Sequence, residues 1–174
     1  LVGEAVADFK GEHAEEVAEV KVDLPVDAHI PHDYIDGERL RLEAYRRIAS
    51  AGDDAAIEEA RAELTDRYGA PPTPVENLLA VASFRAYARQ HGIREISSQG
   101  TSVRLAPVEL PESAQLRLQR LYPRSVIKAA VRTILVPKPT TARIGGTPLR
   151  DTALLAWARE LMDAVLGAPR KESL

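Results

Sequence analysis

Cysteine is absent from this sequence of 174 residues, and aromatic side chains make up only 5% of it. A chain without cysteine can form neither a disulfide framework nor a thiolate metal site. No apolar run approaches the roughly 20 residues that a helix needs to cross a bilayer, and no basic, apolar secretory leader follows Leu1. These absences predict a soluble, cytoplasmic, monomeric domain without a membrane partner. The first residue is not Met and the last few are polar, so we expect a piece of a longer protein.

The motifs that support the common enzyme classes are also missing. Neither G-x-x-x-x-G-K-[ST] nor G-x-G-x-x-G is present, so the sequence lacks the glycine loops that hold phosphates. The hydrolase patterns H-E-x-x-H and G-x-S-x-G are absent as well. His29, His32 and Asp33 resemble a metal site, but their extended, proline-flanked stretch does not place them on one helical face. We therefore predict a domain that has no catalytic, cofactor-binding or metal-binding residues.

Charge is distributed unevenly along the chain, although its net charge is only −3. Residues 1–84 hold 8 Lys/Arg against 19 Asp/Glu, whereas residues 85–150 hold 12 against 3. Two interpretations stay open: the two halves attract each other as solvated faces of one fold, or one of them binds a charged partner. The second interpretation makes a nucleic-acid-binding module the alternative function. Its phosphate contacts would lie in the basic segment, at Arg117, Arg120, Arg124, Lys128 and Arg132.

Hydrophobic periodicity predicts an α+β fold, with helices packed on a small, mostly antiparallel sheet. Alternation over Glu19–Leu24 predicts a first strand. Three helices follow: Asp36 is expected to cap the first and Asp53 or Asp54 the second. The third is expected to open with a capping box at Thr73-Pro74-Val75-Glu76.

Turn residues and a change in the spacing of the apolar residues predict the remaining elements. A hairpin is predicted around Gly100, and a short helix that uses Leu121 is predicted after Pro111. The β-branched run Val126–Val136 predicts one or two strands. A final amphipathic helix carries Trp157.

The second predicted helix has the most distinctive surface. Its apolar stripe runs from Ile57 to Tyr68, and four charged residues lie about 110° away at 100° per residue; they are Glu59, Glu63, Asp66 and Arg67. An i,i+4 pair between Glu63 and Arg67 would make this an ordinary solvated face. Because that pair leaves Glu59 and Asp66 unmatched, the face could instead accept arginines from another surface.

Several segments resemble one known family. Arg41 to Ser50 reads Arg-Leu-Glu-Ala-Tyr-Arg-Arg-Ile-Ala-Ser, and Glu63 to Gly69 reads Glu-Leu-Thr-Asp-Arg-Tyr-Gly. Together with the first strand, Pro72 and the run His91-Gly92-Ile93-Arg94, they resemble the C-terminal domain of bacterial transcription-repair coupling factors (Mfd). The resemblance is good over residues 17–96 and weaker over residues 97–150.

This resemblance implies a non-catalytic, autoinhibitory interaction domain. Members of the family are ATP-driven translocases on double-stranded DNA that displace stalled RNA polymerase and recruit the excision-repair protein UvrA. Their ATPase motifs lie upstream of the C-terminal domain. That domain packs on a UvrB-like N-terminal module and masks its UvrA-binding surface. The residues matching Glu63, Asp66 and Arg67 face arginines of that module, and Glu59 extends the same face.

The resemblance also divides the chain into three parts. Residues 1–16 are expected to close the preceding translocase domain and form a linker. Residues 17–167 are expected to form the regulatory domain, and residues 168–174 a polar tail.

Overall fold

A computed structural model describes residues 19–167; the expected linker and polar tail lie outside this range. The described chain is built from five α-helices, one 3-10 helix and five strands. In chain order they are β1 (Lys21–Asp23), α1 (Glu38–Ala49), α2 (Asp54–Tyr68), α3 (Thr73–Gln90), β2 (Glu95–Gln99), β3 (Ser102–Ala106), α4 (Glu112–Leu121), β4 (Val126–Lys128), the 3-10 helix (Ala129–Val131), β5 (Thr133–Pro137) and α5 (Asp151–Leu166). No described helix is both long enough and apolar enough to span a membrane.

The strands form a single sheet in the order β1-β2-β3-β5-β4. Strand β1 runs parallel to β2, and the other three pairings are antiparallel. The β2–β3 hairpin turns at Gly100, whose φ of 60° lies in the left-handed region that glycine adopts most easily. The α+β class and the mostly antiparallel sheet predicted from the sequence are confirmed.

Apolar side chains gather in two clusters that share α3. One cluster joins the sheet to α3, α4 and α5, with Phe84 and Ile96 fully buried. The other joins α1 and α2 to the first half of α3, with Val75 and Leu79 fully buried. Helix α3 therefore lies between a sheet layer and a helical layer.

Two of the predicted helix starts are wrong. Helix α1 begins after Gly37 with no side-chain cap, so Asp36 does not cap it. Helix α3 begins after Pro72, so Thr73 is its first residue and not its N-cap, and the predicted capping box does not form. The Glu76 carboxylate is bonded to Arg61 of α2.

The second half of the chain follows its predicted order with two refinements. The run Val126–Val136 forms two strands, separated by the 3-10 helix and by Arg132 in the left-handed conformation. Helix α4 follows Pro111 as predicted, and Ala114 and Leu118 are buried. Leu121, which was expected to pack, is 47% exposed at the end of that helix.

Candidate protein-binding face

Side chains form hydrogen bonds with the backbone at both ends of helix α2. The Asp53 carboxylate accepts a hydrogen bond from the Ala56 amide at 2.7 Å, as an N-cap should. At the other end, the Tyr34 hydroxyl lies 3.2 Å from the carbonyl of Leu64 and 2.9 Å from that of Gly69. Gly69 ends the helix with φ of 87°. These contacts limit fraying of the helix.

The buried side of α2 packs on both neighbouring helices. Ile57 and Leu64 enter the apolar cluster with α1 and α3, and Ala60 is also buried on this side of the helix. Arg61 bonds Glu76 of α3 and also contacts Glu58 at 3.2 Å. The hydrogen bond to Glu76 raises the pKa of Arg61 despite its partial burial. The helix therefore cannot rotate without breaking both apolar and charged contacts.

A chain of polar contacts ties the first turn of α2 to helix α5. The Ser83 hydroxyl donates to the Asp54 carboxylate at 2.8 Å, and Arg159 of α5 donates to the same hydroxyl at 2.8 Å. Helices α2, α3 and α5 are therefore linked through one serine.

The four residues predicted to form an interaction face are all exposed on α2: Glu59, Glu63, Asp66 and Arg67. The predicted pair between Glu63 and Arg67 is not the one that forms. Glu63 instead accepts from Arg47 of α1 at 3.3 Å, and the Arg67 guanidinium lies 5.1 Å from the centre of the Tyr68 ring. Within residues 19–167, Glu59 and Asp66 have neither an ion pair nor a side-chain hydrogen bond. The face thus retains two carboxylates without partners.

A groove between α1 and α2 continues this face. Its volume is about 190 Å³, and its floor is made by Ala44 and Ile48 of α1 with Ala60 and Leu64 of α2. Leu40 and Tyr68 also line it, and its charged lining residues are Glu43, Arg47, Glu63 and Arg67. Neither the groove nor the role of Arg47 was predicted, because spacing within one helix does not show which side chain of a neighbouring helix lies opposite.

The histidines that resembled a metal site are not brought together as ligands. The Nδ1 atom of His29 lies 2.9 Å from a carboxylate oxygen of Asp27, and His32 and Asp33 are exposed. In the described part of the chain, no three His, Cys, Asp or Glu side chains are grouped so that they could hold an ion.

The cations of the basic segment do not lie on one element. Arg117 and Arg120 belong to α4, Lys128 to β4, and Arg124 and Arg132 to the connections around it. Several cations have structural roles: Arg85 donates to the carbonyl of Val20 and Arg117 to that of Ala164, both at 3.1 Å.

Comparisons with known proteins identify the family. Residues 24–119 match the model of the TRCF domain. The transcription-repair-coupling factor of Mycobacterium tuberculosis is 42% identical over 183 aligned residues, which cover 98% of this chain and 15% of that protein. The corresponding factor of Bacillus subtilis is 33% identical over 123 residues, covering 70% of this chain and 10% of its own length. The mycobacterial alignment therefore extends through residues 97–150, where the resemblance in the sequence was weaker.

A solved structure agrees with the fold. The crystal structure of the C-terminal domain of transcription-repair coupling factor superposes with a TM-score of 0.62 at 16% identity, covering 85% of this chain and 94% of that one. The chain spans only about 15% of the length of the mycobacterial relatives that it matches. On the family model and the relatives together, the chain belongs to the TRCF domain family of transcription-repair coupling factors.

Proposed function

We propose that this chain is a non-catalytic, autoinhibitory domain of a longer coupling factor, an ATP-driven translocase on double-stranded DNA that acts on stalled RNA polymerase. The exposed face of α2, formed by Glu59, Glu63, Asp66 and Arg67, packs on the UvrB-like N-terminal module of the same protein. In that closed state it masks the surface of the module that binds UvrA. The family assignment supports the choice of a coupling factor as the parent protein, and the geometry of α2 supports the choice of face.

The observation that carries the proposal is the pair of carboxylates without partners on a rigid helix. Glu59 and Asp66 are exposed and have no ion pair within residues 19–167. The contacts at both ends of α2 fix the backbone positions that carry these carboxylates before any partner arrives. Arginine recognises carboxylates with paired, charge-assisted hydrogen bonds, and a face on a preformed helix needs no ordering of its backbone on binding.

The Arg47–Glu63 contact does not prevent this use of Glu63. Its two side chains are 42% and 49% exposed, and ion pairs in such positions contribute about 0.2–1 kcal/mol or less. An incoming arginine can therefore bind Glu63 together with Arg47 or in place of it.

A direct nucleic-acid-binding module is the alternative, and the geometry favours it less. The proposed face is acidic and would repel phosphate. The cations of residues 85–150 are spread over several elements, and Arg85 and Arg117 are bound to backbone carbonyls. A protein partner with a cationic surface fits the acidic face of α2 better.

The cost of an unpaired charge at an interface sets how far the removal of one carboxylate should shift the domain from the closed to the open state. Truncating one member of a desolvated pair costs about 2–5 kcal/mol, much of it the desolvation of the partner left behind. Since each 1.4 kcal/mol is a factor of ten, one substitution would raise the open-to-closed ratio about 30-fold or more.

The test uses the intact parent protein. Glu63→Ala and Asp66→Ala should strengthen apparent UvrA binding about 30-fold when binding is limited by opening, and Glu63→Arg or Asp66→Arg should do so more strongly because repulsion is added. Glu112→Ala, which removes an exposed carboxylate from α4, is the matched control and should leave UvrA affinity unchanged. If a folded Glu63→Arg, Asp66→Arg double variant binds UvrA with unchanged affinity, the face of α2 does not hold the closed state.

A further inference from the structure

The two edges of the sheet differ in the side chains that they expose. Both edge strands, β1 and β4, are three residues long, and each has a partly buried residue between two exposed ones. On β1 the exposed residues are Lys21 and Asp23, and charged side chains of this kind discourage pairing with another strand. On β4 they are Val126, which is 48% exposed, and Lys128. The β4 edge therefore combines an apolar side chain with charge of a single sign.

The chain around β4 is both apolar and cationic at its surface. Of the six exposed large apolar side chains in the described range, four lie between residues 116 and 131, and they are 47–68% exposed: Leu116, Leu121, Val126 and Val131. Residues 113–150 contain 8 Lys/Arg and no Asp/Glu. Exposed apolar side chains that cluster within a charged surface are typical of a binding site for another protein. The absence of carboxylates from this stretch indicates that such a partner is acidic.

Three cations next to β4 are not used by the fold. Arg120, Arg124 and Lys128 have neither an ion pair nor a side-chain hydrogen bond to any residue in the range 19–167. The turn that leads from α4 into β4 is held by two hydrogen bonds. The Gln119 amide donates to the Ser125 carbonyl at 2.8 Å, and the Ser125 hydroxyl donates to the Tyr122 carbonyl at 2.6 Å. These bonds fix the backbone where the chain enters β4.

We infer that the outer edge of β4 binds an extended, acidic segment of a partner protein, which adds a sixth strand to the sheet. Strand β4 is last in the strand order, so the backbone groups on its outer side have no strand partner in the described range. An added strand gains affinity from backbone hydrogen bonds and specificity from alternate side chains. Val126 and Lys128 lie on the same face of the sheet. The partner would therefore place an apolar side chain beside Val126 and a carboxylate beside Lys128, two residues apart.

A protein segment fits this surface better than a nucleic acid does. Phosphates would use the cations, but they would gain nothing from exposed valine and leucine side chains or from an unpaired strand edge. Bases that bind without sequence preference stack on exposed aromatic rings. The aromatic residue of this stretch, Tyr122, is partly buried and packs edge-on against Trp157, with ring centres 6.1 Å apart.

This inference goes beyond the proposed function and does not depend on it. Helix α3 lies between the helical layer, which carries the α2 face, and the sheet that ends at β4. Both surfaces can therefore be occupied at once, and the failure of one leaves the other standing. A three-residue edge buries little surface, so we expect a weak, transient contact.

The experiment measures peptide binding to this chain by fluorescence anisotropy and by shifts of its amide resonances in NMR spectra. The peptides have about nine residues, enough to extend past both ends of β4. The first alternates Glu with Val, the second is the same peptide with its central amides N-methylated, and the third has Lys in place of Glu. The first should bind and shift amides of β4 and β5. The second should bind about tenfold more weakly or worse, because it cannot donate the backbone hydrogen bonds, and the third should not bind.

Substitutions in β4 test the two kinds of side-chain contact. Lys128→Glu should weaken binding of the first peptide about fivefold or more, because attraction becomes repulsion. Val126→Ser should weaken it about threefold, because the apolar cross-strand contact is lost. Arg143→Glu and Ile144→Ser make the same kinds of change at exposed positions of the connection between β5 and α5. These two control variants should leave the affinity unchanged.

Several results would overturn the inference. Strand addition is wrong if the first peptide does not bind, if its N-methylated form binds equally well, or if the shifted amides lie away from β4. It is also wrong if folded Lys128→Glu binds the first peptide with unchanged affinity. A labelled DNA duplex that binds at the same amides more tightly than the acidic peptide would identify a phosphate-binding surface instead. Should circular dichroism show that Val126→Ser is unfolded, Lys128→Glu decides, since that side chain is exposed.

Discussion

The acidic helical layer and the cation-rich sheet half carry opposite charge excesses, and the two excesses are used differently. On α2, Glu59 and Asp66 lie on one exposed face of one helix and have no ion pair in the described range. In the second half, Arg104 pairs with Glu95 at 3.0 Å, and Arg85 binds a backbone carbonyl. Burial lowers the pKa of Arg85, which is a partly buried residue.

The difference shows why a count of charges is a poor guide to binding. Residues 85–150 have the more one-sided composition, 12 cations against 3 anions, yet several of those cations bind parts of the domain itself. The acidic side of the comparison includes Glu59 and Asp66, two exposed carboxylates that lie on one face of α2 and have no ion pair within residues 19–167. A functional face is indicated by charges that the fold leaves unused.

The largest expected effect is a difference in stability between substitutions on the buried and exposed sides of α2. Leu64 is 6% exposed and packs in the helical layer, so Leu64→Ala should cost about 2–5 kcal/mol of unfolding free energy. Glu63→Ala, on the neighbouring exposed position, should change it by no more than about 0.5 kcal/mol. Urea unfolding of both variants measures this. Equal losses would mean that the faces of α2 are assigned wrongly.

A smaller effect tests the order of the acidic face. The Asp53 side chain caps α2 through the Ala56 amide, and Asp53→Ala should cost about 1 kcal/mol. Asp36→Ala is the matched control, because Asp36 precedes α1 without capping it; it should be nearly neutral. If the two variants lose the same stability in thermal unfolding, the cap does not hold α2.

The smallest effect is expected in the basic half. The chain should bind double-stranded DNA no more tightly than about 10⁻⁴ M at physiological salt, the weak end of non-specific binding. Replacing Arg120, Arg124 and Lys128 together by Ala should change fluorescence anisotropy of a labelled duplex very little. Micromolar binding that falls steeply with salt and disappears in this triple variant would favour the nucleic-acid-binding alternative.

The sequence predicted most of the fold, because local signals and packing agree there. The stripe of Ile57, Ala60 and Leu64 and the turn at Gly100 are found as predicted. The failures arise where a distant residue competes with a local motif. Glu76 bonds Arg61 instead of closing a capping box, and Glu63 meets Arg47 instead of Arg67.

The candidate site was predicted only as far as one helix can show it. Helical spacing placed Glu59, Glu63 and Asp66 on one face of α2. It could not place α1 beside them, so the groove floored by Ala44 and Ile48 had no signal in the sequence. The parallel pairing of β1 with β2 was hidden for the same reason, since about 70 residues separate the two strands.

The shared position of α3 has a consequence for cooperativity. Val75 and Leu79 pack in the helical layer, while Phe84 and Ala88 of the same helix pack against the sheet. Neither layer can melt alone without exposing apolar surface that the other needs, so the two form one unfolding unit. Amides in the middle of α3 should then exchange hydrogen for deuterium only through global unfolding. A substitution that lowers the unfolding free energy through the sheet would therefore lower the stability of the α2 face by the same amount.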